Sequence, residues 1–158
     1  MGVANEDYEM VEVGVYENPW LYEGKYFTSD DIDDFFGFVY RITNNQNGRE
    51  YIGRKYFWKF RTPKGKKRKV KSESDWKNYY GSCPELKEEI LKLGRHNFSR
   101  VMLSLHKTAG KTNFEETRQL FVNGVLTESL GDGTPKYYNS NILSRYFRKD
   151  YYEVGQDG

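Results

Sequence analysis

Aromatic and β-branched residues crowd positions 36–42, and a second short run follows at Tyr51 and Ile52 after the polar interval 44–48. Asn47-Gly48 inside that interval is a strong hairpin signal, because both residues tolerate the positive φ that tight turns need. The pattern therefore predicts antiparallel strands over 37–43 and 50–53. Pro63 and Gly65 then break the chain and predict a loop. Further on, Leu86, Ile90 and Leu93 recur at helical intervals behind Ser82-Cys83-Pro84-Glu85, which has the spacing of a capping box, and Gly94 supplies the stop. Residues 98–105 alternate as a third strand, with Val101, Leu103 and Leu105 expected on one face. A second helix is expected from Thr112 or Asn113, carrying Glu116, Leu120 and Phe121 and ending near Asn123-Gly124.

The ends of the chain are less regular. Residues 1–35 lack a clear period, and Asp30, Asp31, Asp33 and Asp34 make part of the segment strongly acidic. Tyr16, Trp20, Tyr22, Tyr26 and Phe27 nevertheless predict that much of it packs. The aromatic and basic tail, 143–158, carries no decisive pattern, and there is no internal repeat. A length of 158 residues suits a single domain with a real core. The lone Cys83 excludes an internal disulfide and suits a reducing compartment, and no apolar run approaches the ~20 residues of a membrane span. With no signal-peptide pattern in MGVANEDYEM, a cytoplasmic protein is expected.

Charge changes the picture more than composition does. The formal net charge is only +2, but residues 1–35 hold ten acidic groups against Lys25, leaving −9 there and +11 on the remainder. Positions 54–71 alone contain ten Lys or Arg and no acid. A basic face is the footprint of a polyanion binder, since phosphate contacts release counterions. A charge run by itself is as often a solvated loop. Here Tyr56, Phe57, Trp58 and Phe60 precede the run and Trp76, Tyr79 and Tyr80 follow it, so flat rings flank the cations. Arg54, Lys55, Lys64, Lys66, Lys67, Arg68, Lys69 and Lys71 are the candidate backbone contacts, with Tyr80 and Ser82 at their border.

The ordered set Gly37-Phe38-Val39-Tyr40, Tyr51-Ile52-Gly53, Arg61, Tyr79-Tyr80-Gly81-Ser82, a later helical Glu and Tyr138-Asn139 resembles the GIY-YIG nuclease superfamily over residues 36–142. Its local context resembles the Seg-type free-standing homing endonucleases of T-even phages. Phe38 stands where the family motif has its glycine, with Gly37 one residue earlier. The resemblance implies an α/β (α+β) domain, a three-stranded antiparallel sheet flanked by helices, that hydrolyses phosphodiesters of double-stranded DNA with one Mg²⁺ or Mn²⁺. It implies an N-terminal arm over 1–35, a nuclease domain over 36–142 with a basic insertion at 61–75, and a C-terminal tail.

Within it, Tyr40 and Tyr51 would act on water or phosphate. The family places an arginine on its first helix, about three turns after YIG, which selects Arg61, with Arg54 and Lys55 as competitors. Glu116, with Glu115 as the alternative, would hold the metal, and Asn139 would fix that side of the site. The chemistry agrees in kind: hydrolysis needs an activated water, a counter-charge for the pentavalent phosphate and help for the leaving oxygen. A phenol with its usual pKa near 10 is a poor base, so it must be assisted or must only orient water. Each residue also has a plainer reading. Strand tyrosines mostly pack, Asn139 fits a turn, either glutamate fits a capping box, and His96 and His106 lack a partner at metal-ligand spacing. A catalytically weak DNA-binding or blocking protein on the same fold is the alternative function. Homing relatives usually carry a separate recognition region, so site choice is expected to fall to the basic insertion, the arm or a partner protein. Monomer and homodimer both remain compatible with the sequence.

Overall fold

The computed structural model describes residues 15–153. Its centre is the expected hairpin, β3 (Gly37–Asn44) and β4 (Glu50–Tyr56), paired antiparallel with Tyr40 opposite Gly53 and Ile42 opposite Tyr51. Gly48 takes φ +82 in the connecting turn, a conformation that costs glycine little. β7 (Phe98–His106) lies antiparallel on the other side of β3, completing the predicted three-stranded core.

The sheet is wider than the sequence suggested. β1 (Leu21–Tyr22) and β2 (Lys25–Tyr26) extend it to five strands in the order β2-β1-β7-β3-β4, with β1 parallel to β7 and the other pairs antiparallel. Two-residue strands are too short to leave a period, which is why this segment is silent in the pattern. It is nevertheless core: Trp20, Phe27 and Ile32 are buried. Two of its acids are occupied locally, Asp31 on the Thr28 amide and Asp34 on Lys107 at 2.9 Å. The acidic positions within 1–14 lie outside the described residues.

Each face of the sheet buries its own cluster. On one face Trp20, Phe38, Tyr40, Ile42, Phe57, Trp76 and Phe98 pack with Leu86 and Ile90 of α1 (Pro84–Leu93). On the other, Val39 and Ile52 meet Leu120 of α2 (Ala109–Val122) together with Val125, Leu126, Tyr137 and Ile142. Phe38 is wholly buried, with its ring 5.1 Å from Trp20 and 4.9 Å from Phe57, so the departure from the family glycine fills core space.

β7 corrects the expected facing. Phe98, Arg100 and Met102 are the buried positions, not Val101, Leu103 and Leu105. A register shift against β3 at Val39/Tyr40 then leaves Leu103 on the second cluster and turns Leu105 to the first. Arg100 is buried, and its guanidinium bonds the carbonyls of Asn18 and Tyr79 while lying 4.6 Å from the Trp20 ring centre. Burial lowers its pKa to about 10.

Both helices begin elsewhere than predicted. α1 starts at Pro84 with Cys83 as N-cap and no side-chain cap bond; proline at the first position has no N–H to satisfy, so the Ser82–Glu85 capping box is not used. α2 starts at Ala109, where the Thr108 hydroxyl accepts the Lys111 amide. Thr112 is therefore inside the helix, bonded back to the Thr108 carbonyl, and neither Glu115 nor Glu116 is a capping residue. Residues flanking the Pro63–Gly65 break pair as a ribbon, β5 (Trp58–Arg61) with β6 (Val70–Glu73). Residues 141–151 fold into β8 (Asn141–Ile142), β9 (Tyr146–Phe147) and the one-turn α3 (Arg148–Tyr151), and the end of the expected tail, 154–158, lies outside the described residues. No helix among the described residues is long and apolar enough to cross a membrane.

Candidate active site

β4 is the edge strand, and the candidate residues gather along it from both faces of the sheet. Side chains alternate across a strand, so Tyr51 and Gly53 belong to one face and Ile52 and Arg54 to the other. Tyr40, opposite Gly53, reaches across it. A Cβ built on Gly53 would sit 2.5 Å from the Tyr40 hydroxyl and 3.0 Å from the Tyr51 ring, so the YIG glycine makes room for the Tyr40 phenol, which is itself only 1% exposed. Gly37 meets the same constraint from α2, where a Cβ would lie 3.0 Å from the Thr112 hydroxyl.

The two phenols are in contact, with ring centres 6.2 Å apart, and Tyr79 stands edge-on to Tyr40 at 6.0 Å. Burial raises Tyr40 well above an ordinary tyrosine, helped by Tyr51, Tyr79 and Glu116. Burial likewise pushes Tyr51 up to about 12, opposed by a hydrogen bond from Ser82. Both are thus neutral phenols near pH 7, able to donate or orient a hydrogen bond but not to take a proton.

Arg54 and Glu116 meet on the α2 side, Nε to Oε1 at 3.3 Å. Burial raises the Glu116 carboxyl above its usual range and Arg54 partly offsets that. The Arg54 guanidinium also lies 5.1 Å from the Tyr56 ring centre, and the Tyr56 hydroxyl donates to Asn113 of α2. Glu115, one residue earlier, points elsewhere: Arg118 holds it at 2.7 Å and, with Gln119, lowers it to about 2. Helix phase thus puts Glu116 beside Arg54 and turns Glu115 to Arg118.

Asn139 is buried, and its amide grips the β4 backbone in both directions. Nδ2 donates to the Ile52 carbonyl at 2.8 Å and Oδ1 accepts the Ile52 amide at 3.1 Å. It acts as one rung of a missing strand beside the edge. Glu50 adds two more, donating to the Lys136 carbonyl and accepting the Tyr138 amide. Between these elements lies a cleft of about 440 Å³ lined by Tyr51, Arg54, Ser82, Glu116, Asn139 and Ser144, among others.

The placement of Arg61 differs from expectation. The family expectation put it on a first helix close to the tyrosines, whereas it sits exposed at the end of β5, outside the cleft. The sequence between YIG and the next helix forms a ribbon, and Arg54 is the arginine beside Glu116. Lys55 is engaged within the protein, 2.6 Å from Asp75 and 4.1 Å from the Tyr79 ring centre. Tyr80 is also corrected: it is 8% exposed, accepts a hydrogen bond from Asn18 and packs under Arg100, so it faces the core and not a ligand. Lys64, Lys66, Lys67, Arg68, Lys69 and Lys71 are all exposed on the ribbon. His96 and His106 stand away from the cleft lining.

Sequence reasoning missed the support given by Arg100, whose bond to the Tyr79 carbonyl steadies the loop that carries Tyr79 to Tyr40. A charged residue in phase with Phe98 and Met102 was the available signal. Among the described residues no three His, Cys, Asp or Glu side chains cluster as a metal site. A divalent ion in the cleft would thus depend on the Glu116 carboxylate, with water and substrate oxygens completing its shell. That donor set fits Mg²⁺ or Mn²⁺, hard ions that are commonly held by one or two carboxylates plus phosphate.

A family model described as "Putative endonuclease segE, GIY-YIG domain" matches residues 20–142. No curated protein and no solved structure matches the chain. The matched span runs from the buried Trp20 to Ile142 of β8, and so contains every residue that lines the edge of β4 except Leu143 and Ser144.

Proposed function

The chain belongs to this GIY-YIG endonuclease domain family, and from that premise we propose that it hydrolyses phosphodiesters of double-stranded DNA with a divalent metal. The observation that carries the reading is the convergence about β4 of two neutral phenols, for which Gly53 leaves room, with an arginine and a raised carboxyl on the other face. Arg54 supplies the cation for the non-bridging oxygens, since its planar fork stays charged and pairs with two of them. Tyr40, protonated and aimed past Gly53, orients the attacking water, and Tyr51 with Ser82 holds the adjoining phosphate oxygen. Glu116 would hold a Mg²⁺ or Mn²⁺ ion, with Arg54 beside it at 3.3 Å. The bound ion supplies charge neutralisation and Lewis-acid help to the leaving oxygen. Asn139 touches no substrate in this scheme; it positions β4.

The family resemblance supports a phage-encoded, homing-type enzyme acting in the cytoplasm of a bacterial host. Duplex phage and plasmid DNA incubated with Mg²⁺ or Mn²⁺ tests the chemistry. Cleavage that Glu116→Ala abolishes is expected. Binding without cleavage under every metal, or full activity in Glu116→Ala, would overturn the catalytic reading in favour of a DNA-blocking protein.

A further inference from the structure

We propose that the β5–β6 ribbon is a groove-reading element that selects the DNA sequence beside the cut, an inference that rests on DNA being the substrate. Its two faces are chemically different. Cross-strand partners share a face, so Trp58, Phe60, Lys71 and Glu73 form one side and Lys59, Arg61, Val70 and Ser72 the other. The first side is tied to the protein. Glu73 accepts from Ser29 at 2.7 Å and from the Trp76 indole at 2.8 Å, Phe60 stacks parallel to Phe36, and Lys71 covers the Trp58 ring at 4.2 Å. Among the described residues the side chains of the second side make no such hydrogen bond, ion pair or ring contact, although Phe60 on the first side is as open as Val70, at 51%. On the second side Lys59, Arg61 and Val70 are exposed, Val70 at 50%.

The second side is a base-reading inventory. Arg and Lys match the O6 and N7 acceptors of guanine, a serine hydroxyl can pair with several bases, and an aliphatic side chain contacts the thymine methyl. A two-stranded ribbon fits the major groove of B-DNA, whereas the deep, narrow major groove of duplex RNA excludes it. At the tip, Lys64, Lys66, Lys67, Arg68 and Lys69 are exposed, and among the described residues none lies in an ion pair. Such a cluster repels itself until a polyanion neutralises it. The tip thus holds phosphates and the second side reads bases.

Position ties reading to cutting. Arg61 follows Arg54 by seven residues, a reach of at most ~25 Å of extended chain. That is less than one ~34 Å turn of DNA. The selected base pairs therefore lie within one helical turn of the cleaved phosphate.

The test is enrichment of bound duplexes from a randomised pool by the full chain carrying Glu116→Gln, alongside end mapping of cleavage by the unmodified chain. The parent should enrich a short motif within one turn of the mapped cut. Adding Lys59→Ala and Arg61→Ala should flatten that motif, cutting the preference for it roughly 10- to 100-fold, the range for one or two lost base contacts. Adding Lys66→Ala, Lys67→Ala and Arg68→Ala should instead keep the motif, weaken binding to every sequence, and make log K against log[salt] shallower by about 2 to 3. An unchanged motif in the face variant, no motif in the parent, or equal binding of duplex RNA would overturn the proposal. Absence of cleavage with the enrichment preserved would sink the nuclease reading alone. Cleavage with the same preference in the face variant would sink the ribbon alone.

Discussion

The edge of β4 and the β5–β6 ribbon are separated by a single residue, Phe57, yet they are built on opposite physical terms. Along the edge the candidate groups are partnered: Tyr40 has Tyr79, Tyr51 has Ser82, Arg54 has Glu116, and Asn139 has the Ile52 backbone. Burial raises the pKa of Tyr40, Tyr51 and Glu116 before any substrate arrives. On the ribbon the cations are exposed, and outside Lys71 over Trp58 none is in an ion pair or over a ring among the described residues. The first arrangement suits chemistry, where donors must be oriented in advance; the second suits long-range capture of a charged ligand. A nuclease domain needs both, and here one strand connects them.

The largest way to break the contrast is Gly53→Ala. The added methyl group would meet the Tyr40 hydroxyl at 2.5 Å, and displacing that phenol should lower single-turnover cleavage on the order of 10²-fold. Overpacking should also cost about 1–3 kcal/mol in denaturant unfolding. Next comes the pair Arg54→Ala and Arg61→Ala. Arg54→Ala should slow the cleavage step at saturating DNA by up to about 10²-fold, the low end for loss of one charge-stabilising donor. Arg61→Ala should act through affinity and sequence preference. An equal effect of the two on the rate of the cleavage step would erase the distinction between edge and ribbon.

A smaller effect concerns pH. Glu116 must be ionised to hold a metal, and its raised pKa makes cleavage fall off on acidification before an ordinary carboxylate would protonate. The same shift has the opposite consequence for folding. The neutral form is favoured in the folded state, so its contribution is fully present below the unfolded carboxyl pKa and is lost as pH rises through the folded value. Glu116→Gln should therefore be inactive while its thermal midpoint at neutral pH is no lower than that of the parent. A clear drop would show that the ion pair with Arg54 outweighs desolvation.

The smallest effect is at high pH. Tyr16 and Tyr51, both held by burial at about 12, should ionise after exposed tyrosines in an ultraviolet absorbance titration. Their stabilisation is complete below pH 10 and is lost as pH rises toward 12.

Much of this was written in local sequence. The Asn47-Gly48 turn fixes the β3–β4 register, and that register alone puts Tyr40 opposite Gly53. Leu86 and Ile90 at helical spacing fix the buried face of α1, and the order of motifs brings the family to mind without any contact being known. Local signals stopped where short elements or competing neighbours took over. β1 and β2 are too brief to show a period. Proline at the first position of α1 removed the need for a capping box, and Thr108 capped α2 four residues before Thr112.

The sequence by itself determined the three central strands, the two main helices and the pool of residues from which a site could be made. It could not choose within that pool, because the choice depends on phase and reach across distant segments. The turn of α2 puts Glu116 beside Arg54 and gives Glu115 to Arg118. A ribbon, where a helix was expected, carries Arg61 out of the cleft. Asn139 gains its role because the Ile52 backbone needs partners at an open sheet edge, 87 residues away in the chain.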